Sequence, residues 1–277
     1  MVATIAGGLF AQPAQAAPTA PIAAGDPSAL ADPVAVLGAL APELLAETSI
    51  PATADQAAAI REQQGVDPFR ADIPTDPFDA IRLAPAATEG AGLPVGVTID
   101  YARGRSHEVG GITAYSAGEA SGAGAAGATA YVQPIQNGVR MLTALADRRS
   151  GEDFSYTFDL PQGSHTTVLP DGDALVSDAG NRYVGTLGQA WARDASGAEL
   201  PTSYRWDGPV LTQHVELGAD TVFPVLMDPV WFYSYDFSAT IAGYHANHPK
   251  ATAGAADKLL HGCFNCSFPI NGAPRGY

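Results

Sequence analysis

Hydrophobic and polar side chains alternate along the middle of the chain, which is typical of β-strands that bury one face. The clearest example is the stretch FSYTFDL, whose polar positions would face solvent. The apolar positions of this stretch share the opposite face, and they are Phe154, Tyr156, Phe158 and Leu160. The pattern predicts a mainly β domain over residues 93–231.

Turn signals punctuate this region at the spacing of hairpins. Asn137-Gly138, Asp171-Gly172 and Asp207-Gly208 each separate two runs of strand-like sequence. Asn-Gly and Asp-Gly readily adopt the left-handed backbone angles that tight hairpin turns require. Repeated hairpins of this kind favour an antiparallel β-sandwich or rolled sheet, preceded by short helices and followed by a small α+β segment that bears the cysteines.

The segment 17–92 has a helical rather than a two-residue period. Asp32 can cap a helix that begins at Pro33, and Pro42 is expected to bend or divide it. A second helix is predicted from Thr53 to the residue before Gly65. We interpret the segment as an Ala/Pro-rich leader and spacer. Apolar side chains could pack it on the β domain, namely Phe69, Phe78, Ile81 and Leu83.

The N-terminus resembles a secretory signal peptide. A short apolar run, VATIAGGLF, precedes Ala14-Gln15-Ala16, which has the small-x-small form that signal peptidase cleaves. No basic residue precedes the run, so we expect residues 1–16 to be a signal peptide shortened by a late start codon. The alternative is a buried N-terminal helix. We favour export, with an extracellular or cell-wall-associated mature protein.

Composition agrees with export and excludes one class of partner. The formal net charge is −15, with 29 acidic against 14 basic residues, so the surface would repel nucleic acid. The low charged fraction of 16%, together with 30 glycines and 22 prolines, suits a loop-rich β protein. No later stretch approaches the 18 apolar residues of a membrane-spanning helix, so we expect no transmembrane segment.

The C-terminal module, residues 232–277, carries the candidate metal ligands. Two imidazoles and two thiolates could form a tetrahedral zinc site, with ligands His245, His248, Cys263 and Cys266. An oxidising medium instead favours a disulfide, either the tight Cys263–Cys266 ring or a bond from one cysteine to a partner beyond Tyr277. A thioredoxin-like redox pair is weaker, because its βαβ context is absent. We favour the disulfide, with no cofactor, and keep zinc as the alternative.

Two further groups carry candidate chemistry. An aromatic stripe could stack on sugar rings, although such stripes are more often core; its members are Trp231, Tyr233 and Tyr235. Asp171, Asp173 and Asp178 could bind calcium, but carboxylates at a hairpin tip usually form turns. No G-x-S-x-G nucleophile motif occurs in the sequence.

The order of motifs resembles a β-rich region of secreted actinobacterial proteins of unknown role. The resemblance rests on an aromatic strand, the hairpin LPDGDALVSDA, the stretch WARDASGAELPTSYRWDG and a closing DPVW, which together cover residues 139–231. The tail HGCFNCSFPINGAP resembles the start of a small Cys-containing domain that follows in such proteins and continues further there. The resemblance implies export and a β fold, and it carries no activity.

These observations lead to three functional hypotheses. The first is a secreted or cell-wall-associated, non-catalytic protein whose β domain presents or binds other molecules, including cell-wall or extracellular protein partners. The second is a secreted hydrolase or toxin that uses the His/Cys group of the C-terminal module as a metal site. The third is a cell-wall carbohydrate-binding module that uses the aromatic stripe. Zinc content and retention on purified cell wall would distinguish them.

Overall fold

A computed structural model describes most of the β region and part of the leader. The described residues are 22–46, 69–85, 95–117, 126–135, 138–169, 172–180, 183–232, 268–270 and 273–275. This part of the protein is mainly β, and its strands form two antiparallel sheets that pack as a β-sandwich.

The smaller sheet has six strands in the order β1-β2-β3-β8-β14-β13. Its strands are β1 (Phe69–Asp72), β2 (Ile81–Pro85), β3 (Val95–Ile99), β8 (Asp153–Asp159), β13 (Thr202–Asp207) and β14 (Val210–Val215). We call it the six-stranded sheet.

The second sheet, which we call the large sheet, has the main order β4-β5-β6-β7-β16-β11-β10-β9. Two short strands, β12 and β15, pair with each other, and β15 also pairs with β7. The strands are β4 (Ala102–Val109), β5 (Ile112–Ala117), β6 (Ala128–Ile135), β7 (Gly138–Leu145), β9 (His165–Val168), β10 (Ala174–Ser177), β11 (Tyr183–Leu187), β12 (Ala192–Arg193), β15 (Val225–Met227) and β16 (Val230–Phe232). A separate hairpin joins β17 (Phe268–Ile270) to β18 (Ala273–Arg275).

The three hairpins predicted from turn dipeptides are confirmed. Strands β6 and β7, β9 and β10, and β13 and β14 pair in antiparallel register around the predicted turns. Gly208 has a φ of 57°, a left-handed angle that a side chain would resist. Turn chemistry therefore sets the register of these strand pairs.

The core lies between the two sheets, and β8 shows why. Phe154, Tyr156 and Phe158 alternate inward and are fully buried, as the period-two pattern predicts. Across from them the large sheet contributes Val139, Met141 and other apolar side chains of the same core cluster. The burial of these faces drives the sheets together.

The leader contributes a helical layer on the outer face of the large sheet. Helix α1 (Pro33–Leu40) lies between two 3₁₀ turns, Pro27–Leu30 and Pro42–Ala46. Asp32 caps α1 by accepting from the backbone N–H groups of Val34 and Ala35, as predicted, and Pro42 begins a separate turn. Buried side chains of this layer pack on the sheet; the cluster includes Leu30, Val36, Leu37, Ile112, Tyr131 and Leu142.

Hydrogen bonds fix this helical layer in place. The hydroxyl of Tyr131 in β6 donates to the carbonyl of Leu30 over 2.7 Å, and Gln133 Nε2 donates to the carbonyl of Leu44 over 2.8 Å. Residues 22–46 are thus part of the folded unit, whereas the sequence pattern assigned them to a spacer. The period of three to four residues identified the helix but not the surface that it covers.

Strands β1 and β2 also come from the segment expected to be a spacer. They form one edge of the six-stranded sheet, and Ile81 and Leu83 are buried in its core. Phe78 instead lies 63% exposed, with the Arg103 guanidinium 4.9 Å above its ring. The expectation of a spacer over 17–92 does not hold for residues 69–85, because X-Pro pairs also suit strand ends and turns. The predicted second helix, which would begin at Thr53, lies outside the described residues.

Candidate functional site

A buried carboxyl with a strongly raised pKa lies between the two sheets. Asp228 lies between β15 and β16, which run one after the other along β7, and its side chain is fully buried. Pro229 follows it and has no N–H to donate, but its carbonyl accepts from Met141 over 2.8 Å. The Asp-Pro pair thus interrupts the strand at the point where the carboxyl enters the core.

Two groups hold the carboxyl from opposite sides of the sandwich. The backbone N–H of Trp191 donates to Asp228 Oδ1 over 3.0 Å, and Gln213 Nε2 from β14 donates to the same oxygen over 3.1 Å. Gln213 Nε2 also lies 3.2 Å from the Trp191 carbonyl and 3.2 Å from Thr202 Oγ1. One amide therefore ties the six-stranded sheet to the large sheet.

Burial controls the ionisation of Asp228. Desolvation raises the pKa of its carboxyl to about 7, although hydrogen bonds from Trp191 and Gln213 favour the charged form. Tyr204 Oη lies close enough to affect this ionisation, yet neither it nor Asp228 Oδ2 has a hydrogen-bond partner of normal geometry. Near neutral pH the group therefore changes between a neutral acid and a buried anion.

A chain of hydroxyl groups lies in the same core. Thr143 Oγ1 and Tyr156 Oη are 2.7 Å apart, and Tyr101 Oη contacts both. Burial raises the pKa of Tyr101 to about 12 and places that of Tyr156 well above its ordinary value. The phenols stay protonated at physiological pH, so each hydroxyl can donate within the chain.

Aromatic rings form one wall of this polar interior. Phe158 packs between Trp206 and Trp231, with ring centroids 5.2 Å and 5.1 Å away. Trp231 is fully buried, so its ring is not available to a ligand and cannot form part of the predicted stacking platform. The alternative interpretation of the stripe as core accounts for Trp231, because inward positions of β16 face the opposite sheet. Tyr233 and Tyr235 lie outside the described residues.

The predicted metal and disulfide residues also lie outside the described part of the chain. They are His245, His248, Cys263 and Cys266. Among the residues that are described, no group of three or more His, Cys, Asp or Glu side chains could hold a metal ion.

The carboxylates considered for calcium have structural roles where they are described. Asp173 Oδ1 accepts from the Gln189 N–H over 2.7 Å, and Asp178 Oδ1 accepts from the Gly180 N–H over 2.8 Å. Such bonds fix loops and turns, as the alternative interpretation expected. Asp171 lies outside the described residues.

Sequence reasoning missed Gln213 and Asp228, although both left a signal. Gln213 shares the inward phase of β14 with Leu211 and Val215, so the alternation already places its amide in the core. Asp228 is a lone charge within the apolar stretch FPVLMDPVW. A buried carboxyl needs a polar partner, and the partner was the amide on the facing sheet.

The chain matches no protein-family model and no curated protein. In the described residues, no helix combines the length and apolar character that crossing a membrane requires.

Proposed function

We propose that this chain is a secreted or cell-wall-associated, non-catalytic protein whose β-sandwich presents or binds other molecules. One observation carries the non-catalytic part of the proposal: Asp228, the carboxyl with a pKa of about 7, is fully buried between the sheets. A general acid or base must reach the proton that it transfers. Asp228 instead hydrogen-bonds Trp191 and Gln213, which suits a role in stability.

The surface of the six-stranded sheet supports a presentation or binding role. Its outer face is rich in small polar side chains and carboxylates, and hydrogen bonds between neighbouring strands organise them. Ser155 Oγ and Thr212 Oγ1 are 3.0 Å apart, and the Thr157 hydroxyl donates to Asp100 over 2.9 Å. Hydrogen bonds of this kind hold polar groups in fixed positions on a rigid sheet, which suits a surface that presents or binds other molecules.

Secretion is the first part of the proposal to test. The full chain is expressed in its native host, and the culture medium, wall and cytoplasmic fractions are compared by intact mass. We expect a mature protein that begins at Ala17 in the medium or wall, with Cys263 and Cys266 oxidised. An uncleaved cytoplasmic protein with both thiols reduced would refute secretion.

The non-catalytic role needs a second measurement. The secreted protein is assayed for bound metal and for sedimentation with purified cell wall, with an unrelated protein of similar negative charge as the control for adsorption. We expect sedimentation without stoichiometric zinc. Zinc at one equivalent that is lost on His245→Ala would favour the hydrolase or toxin hypothesis instead.

A further inference from the structure

Strand β13 is an edge of the six-stranded sheet, and within the described residues it pairs with β14 alone. Asp207 and Val210 close the two-residue turn of the hairpin, and the Pro201 carbonyl accepts from the Glu216 N–H over 2.9 Å. The backbone N–H and C=O groups of the odd-numbered residues of β13 therefore form hydrogen bonds with β14. The N–H and C=O groups of Thr202, Tyr204 and Trp206 point outward from the edge.

The other described sheet edges are less suited to pairing. Strands β1 and β9 have four residues each, and β4 has a register shift between Ala102 and Ser106. The edge of β4 also lies against the helical layer, because His107 Nε2 contacts the Ala31 carbonyl. Strand β13 has six residues, no register shift and no internal proline. Natural sheets usually protect such an edge from pairing.

The charges on β13 are self-complementary. Arg205 and Asp207 are two positions apart and both are exposed on the outer face, whereas Tyr204 and Trp206 turn toward the core. In an antiparallel pair of identical strands centred on Trp206, Arg205 of each copy stands directly opposite the Asp207 of the other copy. This register also places the outward N–H and C=O groups of the two Trp206 residues opposite each other.

We propose that the end of β13 next to its turn is a homodimerisation edge, at which residues 205–207 of two copies of this chain pair antiparallel about Trp206. The two Trp206 residues exchange backbone hydrogen bonds, and two Arg205–Asp207 ion pairs select the register. A register shifted by one pair would bring the Arg205 side chains of the two copies opposite each other, where like charges repel. The inference goes beyond the proposed function, because this contact needs neither secretion nor a cell-wall partner.

Charge reversal tests the contact. The dissociation constant of the full-length protein is measured by sedimentation velocity at physiological ionic strength, for wild type, Arg205→Glu and Asp207→Lys. We expect a wild-type dimer, and each single variant should weaken it by about tenfold or more, since two attractive pairs become repulsive. An equimolar mixture of the two variants should restore the dimer. In that mixed dimer the introduced glutamate faces the introduced lysine, and the unchanged Arg205 of one copy faces the unchanged Asp207 of the other.

Controls separate a lost contact from a lost fold. Arg105→Glu makes the same charge change at an exposed site on β4 and should leave the dimer unchanged. Thermal melting verifies that each variant is folded. A wild-type protein that stays monomeric up to ~100 μM would overturn the proposal. A dimer whose dissociation constant is unchanged by either single charge reversal would also overturn the proposal. Neither result depends on where the protein is located.

Discussion

The side-chain amide of Gln213 donates to Asp228 Oδ1 over 3.1 Å and thereby joins the two sheets of the sandwich. Gln213 belongs to β14 of the six-stranded sheet, and Asp228 follows β15 of the large sheet. The bond matters because the carboxyl has no contact with water to support its charge. Stability and ionisation are therefore coupled at this pair.

The first prediction is that the protein becomes less stable as pH rises from 4 to 8. Asp228 has a pKa of about 7 when folded and an ordinary value of 3.8 when unfolded, so the folded state holds the proton more tightly. Its contribution is complete below the unfolded pKa and is lost as pH rises through 7. The loss is at most about 4 kcal/mol. Urea unfolding at several pH values measures it.

Asp228→Asn isolates this contribution from those of other groups. The amide cannot ionise, so the difference in unfolding free energy between the variant and wild type should move in favour of the variant from about pH 4 to pH 7 and level off above that. Asp220→Asn, at an exposed position, is the matched control and should follow wild type. If the unfolding free energies of wild type and Asp228→Asn changed in parallel with pH, the prediction would be contradicted.

The second prediction concerns the donor of this pair. Gln213→Leu removes a hydrogen bond that favours the charged form, so the pKa of Asp228 should rise further and the pH window of destabilisation should shift upward. The substitution also leaves buried acceptors without a partner, which should lower the unfolding free energy by about 1–3 kcal/mol. Gln162→Leu at an exposed turn is the control. An unchanged pH midpoint in Gln213→Leu would argue against the coupling.

The third prediction is that Thr143→Val destabilises the fold by about 1–3 kcal/mol, because Tyr101 and Tyr156 would lose the hydroxyl that they share. Valine keeps the shape and the strand preference of threonine, so the loss of unfolding free energy measures the contribution of the hydroxyl. Chemical denaturation provides the measurement. Thr167→Val, on the exposed strand β9, should change the unfolding free energy little. Equal effects at both positions would refute a special role for the hydroxyl chain.

The fourth prediction tests whether the helical layer is integral to the fold. Leu37 is fully buried against the large sheet, so Leu37→Ala should lower the unfolding free energy by about 2–5 kcal/mol. Val222→Ala, at a position 47% exposed, is the control and should cost much less. A single cooperative transition in the variant would show that the layer unfolds with the sandwich. A negligible effect would mean that residues 22–46 do not contribute to stability.

Local sequence patterns predicted the strands and helices of this fold better than the surfaces on which those elements pack. The alternation at Phe154, Tyr156 and Phe158 and the turn at Asp207-Gly208 each depend on a few neighbouring residues, and both predictions are confirmed. The strand pairing of residues 69–85 and the docking of α1 depend on surfaces distant in sequence. A short apolar stretch cannot specify which distant face it will cover, so the local pattern of these residues indicates only a spacer.

The candidate site shows the same division. The alternation of inward and outward positions along β14 places Gln213 in the core, but the sequence does not reveal that Asp228 faces it. The two residues are 15 positions apart and lie on different sheets. Alternation with Tyr233 places Trp231 on an aromatic stripe, and only its packing on Phe158 distinguishes a core residue from a binding platform.

The position of β16 determines when, during synthesis of the chain, the large sheet can be completed. Among the described strands of the large sheet it is the last to be synthesised, yet it lies between β7 and β11 near the centre. A chain emerging from a ribosome cannot complete the sheet until Phe232 is free. Until then β7 and β11 both lack β16 as a partner, and unpaired strand edges of this kind are prone to non-native pairing.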